Sequence, residues 1–408
     1  MVFLLPSSNL YFIPLLANQT LQNLDKEVKP MKMYVKPISK LELDRYLSVS
    51  DLTQSKSPHA IKIVYENIEK YMRSTHPQSD VRVYRKNPIV SIADNYDNLL
   101  FPADNIGRSS TYTHYVDESH ILRTHTSAHL PGILRELSKR NDWQDVVILL
   151  PGLSYRRDVS DKKHVSEVHQ LEMWRVVKTS KRKVITKDDL LTVVNGVAKT
   201  AAPDWKLRII DSPHPYTNQG IEVNAVKDDR DIEILECGLI KDEILSNSGL
   251  DPKIYSGWAL GMGLDRLVMT IKDIPDIRYL RSKNPEIAKQ MTNTETYHEV
   301  SNQPAIKRDM SYSIPNNYVE EDVSADIRQA LEGDVEALEN VEILNEEKYD
   351  NLPEKIKQRL GIKPDQKNIL VRITLRHLER TITNEEANKI YERIYNQINY
   401  GTAGYSSY

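Results

Sequence analysis

The sequence predicts an α+β protein of two folded domains: an antiparallel sheet flanked by helices, then a smaller ferredoxin-like α/β sandwich. Three observations predict it. Strand-like segments between about 80 and 260 come in consecutive runs with helical segments between the runs, which favours an antiparallel sheet over a strictly alternating parallel one. VSEVHQLEMWRVVK at 165–178 alternates with period two, placing Val168, Gln170, Glu172 and Trp174 on one face and His169, Leu171 and Met173 on the other. Composition shifts near 300: residues 301–408 hold 14 Lys+Arg against 19 Asp+Glu, a local −5. A chain of 408 residues has room for two or three domains.

Each element follows from its residues. Residues 33–75 read as helical, and at 58–74 Ile61, Val64, Ile68 and Met72 share one stripe behind Pro58, a residue suited to a helix start. Val81 to Leu100 is short and strand-like, and FPADNIGR at 101–108 is a loop. ILRTHTSAHL at 121–130 precedes a helix rich in Leu and Arg. The apolar run Val146–Leu150 is bounded by Pro151-Gly152, which predicts a buried strand ending there. Residues 188–202 form an amphipathic helix capped by Thr186 or Asp188. Strands follow at 220–225, 231–236 and 254–260. GMGLDRLVMTI at 261–271 then reads as a glycine loop opening a helix, with Leu264, Leu267, Val268 and Ile271 as its stripe. In the acidic tail, 368–380 alternates, with Ile369, Val371, Ile373 and Leu375 inward and Arg372, Thr374 and Arg376 outward. TITNEEANKIYERIYNQI starts a helix with Thr383 as cap and Glu386 at the capping-box position. GTAGYSSY at 401–408 leaves little for a last strand.

Composition excludes several classes. The net charge of −3 excludes a bulk basic binder of nucleic acid. A single cysteine, Cys237, excludes a disulfide framework and suits a reducing, cytoplasmic setting. No stretch reaches the roughly 18–20 continuous apolar residues of a membrane span. Residues 1–16, the most apolar, are broken at Pro6-Ser7-Ser8-Asn9 and lack a basic n-region and cleavage site. Residues 1–32 therefore read as a leader outside the fold, or as the product of a start placed ahead of Met31 or Met33.

The residues with chemistry fall in two groups. SYRRD at 154–158 and HVSEVHQLE at 164–172 make a hairpin whose Arg156 suits bidentate phosphate binding, with Gln170 and Glu172 facing the same way. In GMGLDRLVM at 261–269 the glycines let backbone approach a ligand and Arg266 lies off the apolar stripe. Taken singly, each is as well explained by a solvated charged surface. Together, two arginine-bearing elements 110 residues apart flanking an antiparallel sheet resemble the ATP site of class II aminoacyl-tRNA synthetases, with Arg156 as the motif 2 and Arg266 as the motif 3 arginine.

RTHTSAHL at 123–130, YRRD with HQLE at 155–172, and GWALGMGLDRLVMTIKDIPDIRYL at 257–280 narrow the resemblance to phenylalanyl-tRNA synthetase catalytic chains. PAIKRDMSYSI at 304–314 and RTITNEEANKIY at 380–391 resemble the anticodon-binding domain of its single-chain, mitochondrial-type enzymes. The resemblance covers about 55–408 and implies a catalytic domain, bounded at 33–300 after the leader at 1–32, and a tRNA-binding domain at 301–408. For ATP it implies Arg156, His164, Val168, Gly263 and Arg266. For the amino acid it implies His125, Ser127, Gln170, Glu172, His214, Tyr216, Ala259 and Gly261. It implies Glu222 and Glu233 for Mg²⁺, and Arg372 and Arg376 are the candidate tRNA phosphate contacts. The expected partners are ATP, an aromatic amino acid and tRNA, without a membrane, for a monomer or homodimer.

Three positions depart from the family pattern: Val168 stands where an aromatic stacks on adenine, His214-Pro215-Tyr216 where Phe-Pro-Phe clamps the substrate ring, and Glu236 where glycine is usual. They keep open a paralogous ligase that activates a different amino acid or delivers it to another acceptor. A non-catalytic synthetase-like protein is disfavoured by the presence of Arg156, Gln170, Glu172 and Arg266.

Overall fold

The computed structural model describes residues 37–157, 161–179, 184–300, 303–331 and 334–405; the expected leader at 1–32 lies outside them. Nine strands belong to the first domain: β1 (Asp80–Val83), β2 (Ile89–Ser91), β3 (His120–Leu122), β4 (Asp145–Tyr155), β5 (Glu167–Lys178), β6 (Lys206–Asp211), β7 (Thr217–Lys227), β8 (Arg230–Ile240) and β9 (Tyr255–Gly263). Seven form one sheet in the order β1-β4-β5-β9-β8-β7-β6, while β2 and β3 pair apart from it. Every pair in the large sheet is antiparallel except β1 with β4. Its longer helices are α1 (Lys40–Ser48), α2 (Ala60–Thr75), α3 (Leu130–Ser138), α4 (Lys187–Ala201) and α5 (Leu264–Ile271).

Sequence explains where these begin. The His59 ring accepts the Ile61 N–H at 3.1 Å and starts α2, whose predicted stripe Ile61, Val64, Ile68 and Met72 is buried. Thr186, rather than Asp188, caps α4 in a capping box with Asp189. Alternation along the strands then separates two cores. Leu171, Met173, Leu260, Met262, Val223 and Cys237 meet α2, α4 and α5 on one face. Trp174, Val176 and Ala259 meet α3 and Leu99 on the other.

Two boundaries differ from expectation. β4 does not stop at Pro151-Gly152 but runs on to Tyr155. Pro151 lies two residues beyond the last β1 pairing, Val83 with Leu149, where β4 has an open edge that tolerates a missing donor. Gly261 and Gly263 are the end of β9, not a loop, and α5 follows them directly.

In the tail, β10 (Ile306–Pro315), β11 (Leu338–Lys348) and β12 (Gln366–Leu375) form an antiparallel sheet in the order β10-β12-β11. Helices α6 (Glu320–Ala330) and α7 (Asn384–Ile398) pack with it, the latter opened by the predicted Thr383–Glu386 box. No fourth strand forms among the described residues, as the short terminal segment suggested. Ile369, Val371, Ile373 and Leu375 are fully buried as expected, but so is Thr374, expected outward, at 3% exposed. That end of β12 lies near the first domain. There Arg278, held by Asp276, donates to the carbonyls of Glu336 (3.0 Å) and Leu338 (2.6 Å), and the Lys162 N–H donates to Glu339.

Candidate active site

Register builds the floor of the site on the sheet face away from α2, α4 and α5. Gln170 lies between Gly152 on β4 and Gly263 on β9, Glu172 between Leu150 and Gly261, and Trp174 between Ile148 and Ala259. β8 sets Glu236 beside Gly261, and β7 sets Glu222 beside Glu236. One row therefore reads Glu172, Gly261, Glu236, Glu222: three carboxylates interrupted by a glycine. A Cβ on Gly261 would stand 2.8 Å from Glu172 Oε2, so glycine leaves that carboxylate its room.

At the amino-acid end, Glu172 is 5% exposed and accepts the Trp174 indole N–H at 2.6 Å. Burial pushes its carboxyl up to about 7, with Glu236 adding to the effect and bonds from Trp174 and Ser127 opposing it. No cationic side chain pairs with it among the described residues. Tyr216 stacks on Trp174 (5.6 Å, 24°) and meets Phe101 at 6.3 Å; Phe101 in turn stacks on His125 (5.3 Å, 23°). Burial, then the Arg156 charge, hold the His125 imidazole down to about 3 against the Asn95 backbone, so it is neutral. His214, Tyr216, Ala259 and Gly261 line one narrow cleft, joined there by Thr217 and Glu236. The expected role of Gln170 is modified: its side-chain oxygen already accepts the Thr126 N–H at 3.1 Å.

At the ATP end, Arg156 sits just past β4 on the parity of Gly152 and Ser154. Its Nε donates to the Thr124 carbonyl (3.1 Å) and its guanidinium lies 5.8 Å from the Tyr112 ring centre. Arg266 is exposed on the first turn of α5, and its guanidinium has no hydrogen-bond or ion-pair partner among the described residues. His164 is half exposed and anchored to Asp161 Oδ1 at 3.1 Å. Val168 is half-buried, and a Cβ at Gly263 would meet no protein atom within 4 Å.

Glu222 and Glu233 reach the same region but not as a register pair: Glu222 faces Glu236, and Glu233 faces Asn224 past a bulge. Burial and the Glu236 charge push the Glu233 carboxyl up to about 7 against the pull of Arg266, a deficit that a cation would relieve. No trio of His, Cys, Asp or Glu among the described residues is arranged to enclose a metal. The donor set fits Mg²⁺ held jointly by two carboxylates and phosphate oxygens.

The tail arginines do not stand as expected. Arg372 is forked onto Asp309 (2.7 and 2.8 Å) and Arg376 pairs with Glu339, so both charges are already satisfied. Sequence reading missed the support under the site. His169 is fully buried; its N–H and Nδ1 meet Asp265 at 2.5 and 2.9 Å, tying β5 to α5 between the two site arginines. No local signal marks that pair, whose members are 96 residues apart. Strand parity did mark Trp174, already on the Glu172 face.

Comparison with known proteins places both domains in known families. Residues 44–291 match the tRNA synthetases class II core domain (F), and residues 301–403 match the ferredoxin-fold anticodon binding domain. The chain is 29% identical over 350 residues to the chloroplastic/mitochondrial phenylalanine--tRNA ligase of Arabidopsis thaliana, covering 83% of this chain and 76% of that one. It is 28% identical to the probable mitochondrial phenylalanine--tRNA ligase of Drosophila melanogaster, covering 82% of each, and 25% identical to the mitochondrial enzyme of Saccharomyces cerevisiae, covering 90% of this chain and 92% of that one. These names overturn the cytoplasmic expectation. It rested on one buried cysteine, and a reduced thiol suits any non-oxidising compartment. With a class II core over most of its length and a ferredoxin-fold anticodon-binding domain after it, the chain belongs to the class II aminoacyl-tRNA synthetases.

Proposed function

We propose that the chain activates phenylalanine with ATP as phenylalanyl-adenylate and transfers the acyl group to tRNA in an organelle. The observation that carries this reading is Glu172: a buried carboxylate without a cationic partner among the described residues, beneath a Trp174–Tyr216 wall, on the face that Arg156 and Arg266 border. That arrangement suits an α-ammonium with an aromatic ring behind it. The substrate's own carboxylate attacks the α-phosphorus and pyrophosphate leaves, so no side chain acts as nucleophile. Arg156 and Arg266 neutralise charge on the transferring phosphoryl, and preorganised positioning supplies the rest. Glu222 and Glu233 would hold Mg²⁺ together with the phosphates, and the ion would supply further charge neutralisation when bound. Half-buried Val168 offers the adenine an apolar contact in place of a stacking ring. His125 and Ser127 seat the carboxylate end; a neutral imidazole donates there without adding charge. ATP–pyrophosphate exchange against all twenty amino acids, followed by charging of organellar tRNA, tests the reading; exchange with a non-aromatic amino acid alone overturns it.

A further inference from the structure

We propose that Glu236 is a second carboxylate for the substrate's α-ammonium, sharing it with Glu172 across the bare backbone of Gly261. The inference rests on the functional reading above and adds a specificity residue to it. Glu172 and Glu236 occupy strands on either side of β9, each opposite Gly261, with side chains on the same face. Two strand spacings put their backbones about 9–10 Å apart. Glutamate side chains leaning inward over that span leave a gap that two charge-assisted hydrogen bonds of about 2.8 Å can bridge. Glu172 leans inward, its Oε2 lying 2.8 Å from the place a Gly261 Cβ would take, while no Glu236 atom comes within 4 Å of that point, so the space over the glycine on its side is open.

Glu172 has no cationic partner among the described residues, and Glu236 is pushed up by burial and by Glu222 against the pull of Arg156; its Oε2 lies 3.8 Å from His214 Nδ1, an imidazole that burial holds toward its neutral form. Glu222 on the far side adds a like charge. The Glu236 charge already opposes ionisation of Glu172, and an ammonium bound between the two carboxylates turns that repulsion into attraction. A separate observation leaves a polar group in the same narrow cleft without its partner. The Thr217 hydroxyl, on a residue 4% exposed, lines it without a hydrogen-bond partner among the described residues.

The test uses the full chain with Glu236→Gln and Glu236→Gly, each checked for folding by circular dichroism. ATP–pyrophosphate exchange is measured with phenylalanine and with two competitive inhibitors: phenylalaninol, which keeps the ammonium, and 3-phenylpropionate, which lacks it. Both variants are expected to raise KM for phenylalanine and Ki for phenylalaninol about tenfold or more. Ki for 3-phenylpropionate and KM for ATP should stay within about twofold. Equal weakening of both inhibitors places Glu236 against the ring and overturns the inference. So does a change confined to ATP or to the Mg²⁺ requirement, or an unchanged Ki for phenylalaninol. A wild type without phenylalanine-dependent exchange defeats the functional reading itself, and this inference with it.

Discussion

Replacing Asp265 tests whether the site arginines depend on the buried support beneath them. Asp265 is 2% exposed and accepts two bonds from His169, one from the backbone N–H at 2.5 Å and one from Nδ1 at 2.9 Å. The tautomer follows from the other side of the ring. The Leu52 N–H donates to His169 Nε2 at 3.0 Å, and Arg281 Nη2 lies 3.1 Å from the same atom. Nε2 is therefore the acceptor, and Nδ1 carries the proton that Asp265 receives. Asp265→Ala strips a buried neutral ring and a strand N–H of their acceptor, leaving two buried donors unsatisfied at about 1–3 kcal/mol each. Asp265→Asn keeps one acceptor but confronts Nδ1–H or the strand N–H with a second donor, so it should cost about 1–3 kcal/mol. All four tryptophans precede residue 300, so their fluorescence in urea reports the catalytic domain without the tail. Because Asp265 joins β5 beside Gln170 to α5 beside Arg266, exchange kcat should fall on the order of tenfold or more through misplacement alone. An Asp265→Ala protein with an unchanged urea midpoint and unchanged exchange would refute this reasoning.

Arg156→Ala and Arg266→Ala should each reduce adenylate formation by about 10²-fold or more, about 2.7–4 kcal/mol, read as pyrophosphate exchange at saturating phenylalanine; near-full activity in either removes that arginine from the phosphate site. Glu172, pushed up to about 7, must be ionised to hold an ammonium, so KM for phenylalanine should rise as pH falls below about 7 and level off above it. The stability sign is opposite. The folded carboxyl binds its proton more tightly than the unfolded one, so this group's contribution weakens as pH rises from about 4.5 through 7; a Glu172→Gln urea midpoint that tracks pH like wild type would exclude it. A chain ending near residue 300 should keep exchange and lose most tRNA charging. Arg372→Ala should leave the salt slope of tRNA binding unchanged, because Asp309 already neutralises it; a slope lower by about one unit would show that Arg372 releases Asp309 for phosphate.

Much of the site was legible because strand parity is local information. Once 165–178 reads as a strand, Gln170, Glu172 and Trp174 must share a face. What the sequence hid is pairing across distance. Arg372 looks like an exposed cation until β10 brings Asp309 beside it, 63 residues away, and Arg376 until β11 brings Glu339. Thr374 reads as outward by alternation alone, which says nothing of a second domain arriving on that side. Pro151-Gly152 reads as a strand end because both residues break strands in general, yet here the open edge of β4 absorbs the proline. The glycines at 261 and 263 read as a loop by composition, whereas their use lies in the space they leave over the sheet.

Gly152 carries a consequence for how this sequence can drift. Its φ of +152° is one that side-chain-bearing residues rarely adopt, and a Cβ there would fall 2.5 Å from the Arg123 Nη2. Arg123 is itself 4% exposed, with its Nε donating to the Leu153 carbonyl at 2.7 Å, and burial brings its guanidinium down to about 10. Any single substitution at 152 must therefore displace a buried guanidinium next to the strand that carries Arg156. Position 152 can change only after, or together with, a shortening of residue 123, and the two sites form one mutational unit. Among relatives, a side chain at the position of Gly152 should coincide with loss of the arginine at the position of Arg123, and the double variant of this chain should fold where the single one does not.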